Sequence, residues 1–576
     1  MRNKRNSHQQ IASAADTRDE SHGSGEFDES PRRRLMMAPL VTCLALTWMT
    51  LGCHRQEDTA QSPRNSSPVR PAGEQWDAVF LLGSKIGHVV TTWNSERRQD
   101  RDLVHWQQHT ELRLTRFGDQ SLQQVMLECW ETPAGEWVEC GWEIKSGQTV
   151  TGSVVTRQDD QYEIRDRGQT LEPLAVLDAQ EDCGGYFAVE KSLLRSPLQP
   201  GEARMVRLLM PMVNSIVTMQ LQATEMEMTE TPSGVQELLR IESQMQLDSN
   251  TALDSTMWAN ANGEIRKTYL PTMQQETYKT NKSSALAAES GNPLDFGLST
   301  VVSASRVPAD IHRLESATYV VRLERDDPTE VLASCRTQLL VPIDERTANV
   351  HVVNGQGDRD PPDRFSVDRP QGDGPQGDGP QGNGPQDDGP QDDGPQDDGP
   401  PGEGDLAVSN LIQSTDARIL EMANRIEATE GPETGGTRSA GDWELVKAIE
   451  SHVNGWILDK NFSRALSSAV EVLETRQGDC TEHATLLAAL CRARSIPARV
   501  VLGLIYSPAD QGFAYHMWNE VWLQDHWMPV DATLGQGGIG AGHIKVGHSD
   551  LSGANAMGTL LPVIRVLGQI EIEFVE

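Results

Sequence analysis

A chain of 576 residues with 37% hydrophobic and 23% charged side chains has length for about three to five domains, yet its apolar share leaves room for segments that bury nothing. Acidic residues outnumber basic ones by 84 to 50, and the net charge of -34 repels phosphate backbones, which disfavours nucleic acid as a partner. Eight cysteines are too few for a disulfide-framed scaffold at this length, so each is judged by its own surroundings.

Residues 1–53 read as a targeting segment. Arg32, Arg33 and Arg34 precede an uncharged run from Leu35 to Gly52, which is the order of a basic n-region and an apolar h-region. The run ends Thr50-Leu51-Gly52-Cys53, which resembles a bacterial lipoprotein cleavage box with Cys53 as the acylated residue, although Thr50 stands where Leu is usual. Its 18 residues are also near the lower limit for a spanning helix. Lipoprotein, uncleaved anchor and simple secretion are therefore all open. Each expects the bulk of the chain outside the cytoplasm, and the first two attach it to a membrane. Residues 54–74, rich in Ser, Pro, Gln and charge, are an expected disordered tether.

From 75 to 355 the pattern changes to short alternating runs, among them VFLLGSKIGHVVTTW, LVHWQQHTELRLTRF and VQELLRIESQMQLD. Period-two alternation between turn residues predicts an antiparallel all-β region with one buried and one wet face. The runs between Tyr319 and Val353 are either an edge of that sheet or a small second β-unit. In CWETPAGEWVEC, a tight turn between Ala134 and Gly135 makes Cys129 and Cys140 cross-strand partners within reach of a disulfide, which an extracytoplasmic compartment permits. A one-residue slip instead leaves two free thiols on opposite faces.

Residues 356–405 form an acidic low-complexity linker. Six five-residue units of the type PQGDG and PQDDG run from Pro370, and the segment to Asp405 carries acidic but no basic residues, so it repels itself and is expected to be extended and solvated. Its Asp spacing fits neither an EF-hand loop nor a glycine-rich β-roll, and nothing in the chain requires a metal or another cofactor.

Residues 406–576 carry the chemistry. After a helix-like stretch near 406–428, WELVKAIESHVNGWI sets Leu445, Ile449, Val453 and Ile457 at four-residue steps on one helical face. A second helix is expected to open at Ser463 and break at Gly478. A third, CTEHATLLAALCRA, starts at Cys480, where unpaired N–H groups and the helix dipole favour a thiolate. ARVVLGLIY, FAYHMWNEVWL and HWMPVDATLG then predict three strands, with His516 in the second and Asp531 at the end of the third. A thiol nucleophile needs a base, and the base needs a partner that fixes its tautomer; helix, strand and strand supply all three. His483 lies one turn along the Cys480 helix and reads as structural. Trp518, Glu520 and Trp527 read as scaffold, and Gln477 is a weak candidate for holding an oxyanion. Cys480 and Cys491 are about 16 Å apart along the helix and cannot share an ion.

These blocks, Gly-Asp-Cys at 478–480, His-x-Trp-x-Glu from His516 and Pro-Val-Asp ending at Asp531, resemble the transglutaminase-like superfamily in order and spacing, over roughly residues 440–550. The resemblance implies a papain-like α+β domain with Cys480 as nucleophile, His516 as base and Asp531 as orienting carboxylate. It implies thiol acyl transfer on protein or peptide amides, by cross-linking or by hydrolysis. The competing readings are a transglutaminase-like binding module without turnover and a structural envelope protein.

Overall fold

The computed structural model describes residues 72–576 apart from 99, 147–148, 168–172, 181, 211, 248–251, 289–293, 355–398, 428–437, 464–465 and 553–560. Cys53 with its apolar run, most of the tether and the pentapeptide repeat lie outside the described residues. No helix among those described is long and apolar enough to cross a membrane.

Among the described residues, fifteen strands between Gly73 and Thr280 form one sheet. Two meanders share it. Strands from Gly73–Leu81 to Ala175–Asp178 pair successively in one direction, and those from Gln275–Thr280 back to Cys183–Gly184 pair in the other. They join where Gly73–Leu81 pairs antiparallel with Gln275–Thr280. The two outer edges, Ala175–Asp178 and Cys183–Gly184, are separated by a short loop that spans at most about 17 Å, whereas fifteen flat strands would spread over roughly 67 Å. The sheet must therefore curl round on itself. Across the enclosed space, Trp142 Nε1 and Ser153 Oγ both donate to Asn214 Oδ1, at 3.2 and 2.7 Å. The alternation in the sequence is the cause: along Arg101–Arg116, Trp106, Leu112 and Leu114 point inward and are buried, while Gln107, Glu111 and Arg113 between them are more exposed.

Cys129 and Cys140 are directly opposed and disulfide-bonded. The turn between them differs from the expected one. Gly135 adopts a φ of +92°, Thr132 N donates to Glu136 O at 2.8 Å, and the loop is Pro133-Ala134-Gly135. A bulge at Trp130/Glu131 absorbs the odd residue and restores the register at the cysteines.

The runs between Tyr319 and Val353 do not extend the large sheet. Ser316–Leu323, Gln338–Asp344 and Thr347–Val353 form a separate four-stranded sheet completed by Ile570–Phe574 from the end of the chain. Upstream, Val302–Ser303 pairs with the strand Gly512–Leu523. The linker also ends earlier than expected: Gly399 O accepts from Trp527 Nε1 at 2.8 Å, and Asp405 is buried, so 399–405 pack against the C-terminal domain.

In that domain, helices Ala417–Arg425, Arg438–Trp456, Ala469–Thr475 and Cys480–Ala493 precede strands Ala498–Ser507, Gly512–Leu523, His526–Val530 and His543–Ser549. Leu445, Ile449 and Val453 are buried along one helix face, as their spacing predicts, and Ile457 is buried just beyond it. The second helix begins later than expected, because Ser468 rather than Ser463 caps it, its side chain accepting from Glu471 N. Almost all of Cys480–Ala493 is buried, and it packs on Ala498–Ser507 and Gly512–Leu523, whose apolar runs are covered on both faces.

Candidate active site

The nucleophile position is fixed by a capping box. Asp479 is the N-cap of the Cys480–Ala493 helix: its Oδ1 accepts from Thr481 N at 2.9 Å and from Thr481 Oγ1 at 2.7 Å. Glu482 reciprocates, accepting from Asp479 N at 3.0 Å. Gly478, at a φ of +145°, lies against the Glu482 side chain and leaves no room for a Cβ. The Gly-Asp-Cys-Thr-Glu sequence thus encodes the turn that sets Cys480 at the first helical position.

The strands bring the partners. Asn519 pairs with Val530, so the end of His526–Val530 delivers Asp531 beside His516. His516 Nε2 lies 2.9 Å from Asp531 Oδ2, and the other carboxylate oxygen accepts from Thr533 N at 2.8 Å. With Nε2 engaged, Nδ1 is the ring nitrogen of His516 without a hydrogen-bond partner. The Cys480 thiol lies 3.9 Å from Asp479 Oδ1, to which it donates, and the backbone amide of Met517, the residue after His516, acts on its sulfur as a donor.

The site is closed to solvent: Cys480 is 1% exposed, as is His516, and Asp531 is 0% exposed. One property differs from the sequence expectation. The helix start does not yield a standing thiolate. Burial, then the carboxylate of Asp479, push the Cys480 thiol well above its ordinary value, with Glu482 and Asp531 acting in the same direction against the Met517 amide. Burial also works against the Asp531 carboxylate, but His516 and His543 outweigh it and hold Asp531 well below the usual range. The resting site therefore combines a neutral thiol with an ionised Asp531.

His543 was not visible as a site residue in the sequence. It lies on His543–Ser549, and its Nε2 approaches the same Asp531 Oδ2 at 3.3 Å, with Nδ1 3.2 Å from Gly540 O. The run GHIKVGHSD has no motif that would mark it. His516, Asp531 and His543 bring three donor atoms within 4.8 Å of one another, a set with the composition of a metal site. His516 Nε2 and His543 Nε2 both contact Asp531 Oδ2, at 2.9 and 3.3 Å.

The other singled-out residues fall around this centre. His483 is fully buried, with Nδ1 2.5 Å from Asp479 O, and burial lowers its pKa to about 4, so it is a neutral helix residue. Glu520 accepts from Arg499 Nε at 2.8 Å and from Lys545 Nζ at 2.7 Å, a buried network two residues beyond Trp518. Trp518 stacks beside His516, with ring centroids 6.0 Å apart. Trp527 covers the Arg499 guanidinium at 4.0 Å. Gln477 is half-buried and bridges through its backbone to Asp459. After Asp531 the chain is held by Asn454 Nδ2, which donates to Ala532 O and Thr533 O at 2.8 and 3.0 Å, and by Glu450, which accepts from Gly537 N at 3.0 Å.

Residues 427–532 match the family model described as the transglutaminase-like superfamily. The C-terminal region is thus a transglutaminase-like domain. No curated protein matches the chain. Among solved structures, one similar chain is described as a "Putative Cysteine Protease" from Cytophaga hutchinsonii, at 16% identity over 45% of this chain and 83% of that one, with a TM-score of 0.24. Another is a "Beta-barrel-like Protein of Domain of Unknown Function DUF1849" from Brucella abortus, at 7% identity over 37% of this chain and 97% of that one, with a TM-score of 0.27.

Proposed function

We propose that the protein is a thiol acyl-transfer enzyme acting on protein or peptide amides, with Cys480 as nucleophile, His516 as base and Asp531 as the carboxylate that orients it. The observation that carries this reading is the His516 Nε2 to Asp531 Oδ2 hydrogen bond, which leaves Nδ1 as the unpartnered nitrogen of a residue adjoining the thiol's own contact at Met517.

Because the thiol rests neutral, proton transfer accompanies attack. His516 Nδ1 takes the Cys480 proton as sulfur adds to the substrate carbonyl carbon. The carbonyl oxygen becomes an oxyanion near the start of the helix, where the first N–H groups have no intrahelical partner. Collapse breaks the carbon–nitrogen bond, and the imidazolium returns its proton to the leaving amine, giving a thioester. A second amine or water then adds to the thioester, losing its proton to His516, and the thiol is expelled. An amine acceptor gives a new amide and cross-linking, while water gives a carboxylic acid and hydrolysis. The ionised Asp531 stabilises the imidazolium in both halves.

The extracytoplasmic, membrane-attached location rests on Leu35–Cys53 alone. The test of function is incubation of wild-type and Cys480→Ala protein with glutamine-containing proteins, with and without an added primary amine. Covalent amine incorporation supports transfer and new peptide termini support hydrolysis. Equal activity in Cys480→Ala overturns the proposal and favours a binding or structural role.

A further inference from the structure

The large sheet touches the active site through one hairpin tip. Arg101–Arg116 turns into Asp119–Glu131 through Phe117 and Gly118, both at positive φ, +49° and +89°. Such a two-residue turn suits Gly at its second position, but a phenylalanine at its first is strained and persists only where its surroundings fix it. They do so here. Asp295 accepts from Phe117 N and Gly118 N, both at 2.8 Å. The Phe117 ring packs on Phe462 at 5.0 Å, and Asp119 accepts from Phe462 N at 3.0 Å. The constrained tip delivers Arg116, itself 0% exposed, into the C-terminal domain, where it donates to Phe462 O and pairs with Asp479 Oδ2 at 3.2 Å.

We propose that Arg116 is a positioning residue of the active site, supplied by the β-sheet region to hold the Asp479 cap ionised and in place, and through it to govern the Cys480 thiol. The proposal rests on Cys480 being the nucleophile. Asp479 is fully buried, and burial, then the neighbouring Glu482, raise its carboxyl to about 7, against Arg116 and the Thr481 donors. Without the guanidinium, the buried Asp479 carboxylate loses its countercharge beside Cys480 and repels a forming thiolate. The titratable and charged groups around Asp479 are Arg116 from the hairpin and Cys480, Glu482 and His483 from its own helix; Asp531 and His516 from the adjoining strands and Lys460 from the preceding loop act on Cys480 and His483. Of the two cations, Arg116 and Lys460, Arg116 is the one in an ion pair with the Asp479 carboxylate.

The test needs no substrate, so it can fail separately from the assignment of acyl transfer. In the full chain, the iodoacetamide alkylation rate of Cys480 is measured against pH by mass spectrometry, with Cys335 as internal reference, in wild type, Arg116→Met, Arg116→Lys, Asp479→Asn and the Arg116→Met/Asp479→Asn double variant. Folding is checked by thermal unfolding. Arg116→Met is expected to move the Cys480 profile up by roughly one pH unit and to slow alkylation about tenfold at neutral pH, with Cys335 unchanged. Arg116→Lys restores most of the rate, and the double variant returns toward wild type because the uncompensated carboxylate is gone. A folded Arg116→Met with the wild-type profile, or a double variant no closer to wild type than Arg116→Met, overturns the proposal. If Arg116→Met does not fold, Asp479→Asn decides: the unpaired guanidinium must lower the Cys480 profile, and an unchanged profile rejects the coupling.

Discussion

His516 and Asp531 meet at 2.9 Å with neither side chain exposed to solvent. Because His516 and His543 hold the carboxylate well below its usual range, the contribution of this pair is complete above about pH 4 and is lost only as pH falls through the lowered folded value. Asp531→Asn replaces the acceptor by an amide that cannot stabilise an imidazolium. Turnover should fall by about three to four orders of magnitude, while Cys480 keeps measurable reactivity toward iodoacetamide. Steady-state rates beside alkylation rates check this, and a fall of less than tenfold would remove Asp531 from the mechanism.

Among the described residues, the cysteines outside the Cys129–Cys140 bridge should separate by environment. Cys183, Cys480 and Cys491 are buried and Cys335 is intermediate. Burial pushes Cys183 up to about 11 and Cys491 up to about 12, and Cys480 is also raised. Of these four, in native protein at neutral pH, Cys335 should therefore be alkylated first and Cys491 last, with Cys129 and Cys140 unlabelled until reduction. Peptide mapping over time reads the order. Alkylation of Cys480 ahead of Cys335 would mean a standing thiolate and an open site.

Short-range patterns were legible in the sequence. The alternation in the strands, the four-residue steps from Leu445 to Val453 and the start of the helix at Cys480 each depend on a few neighbouring residues. The close approach of His516 to Asp531 was legible as well, because two adjacent strands with a short turn fix its register. What could not be read were contacts set by chain return. Ile570–Phe574 pairs with Ser316–Leu323, and Arg116 reaches Asp479 across 363 residues, with no local pattern to announce either. The neutral state of Cys480 was hidden for a related reason. The dipole argument is local, whereas the carboxylates and the burial that outweigh it arise from tertiary packing.

Glu520 separates scaffold from chemistry. It accepts from Arg499 and Lys545, and all three side chains are buried. Glu520→Ala leaves two cations without that carboxylate in the interior, and the expected cost is about 3 to 5 kcal/mol of stability. Thermal unfolding checks this. If Glu520→Ala melts like wild type but loses turnover, Glu520 belongs to the chemistry and not to the framework.

The large sheet has its own titration signature in Glu190, on the helix Ala188–Arg195. Burial raises its carboxyl to about 8, with the like charge of Asp77 adding to the effect and its own backbone amide and Lys191 opposing it. The folded state therefore holds a proton that the unfolded chain has released above about pH 4.5. Stability is full below that value and declines as pH rises through about 8. Glu190→Gln keeps the shape without the ionisation, so it should melt several degrees above wild type at pH 9 and close to it at pH 5. Melting curves of both proteins at the two pH values test this. An equal difference at both would show that the Glu190 proton is not linked to folding.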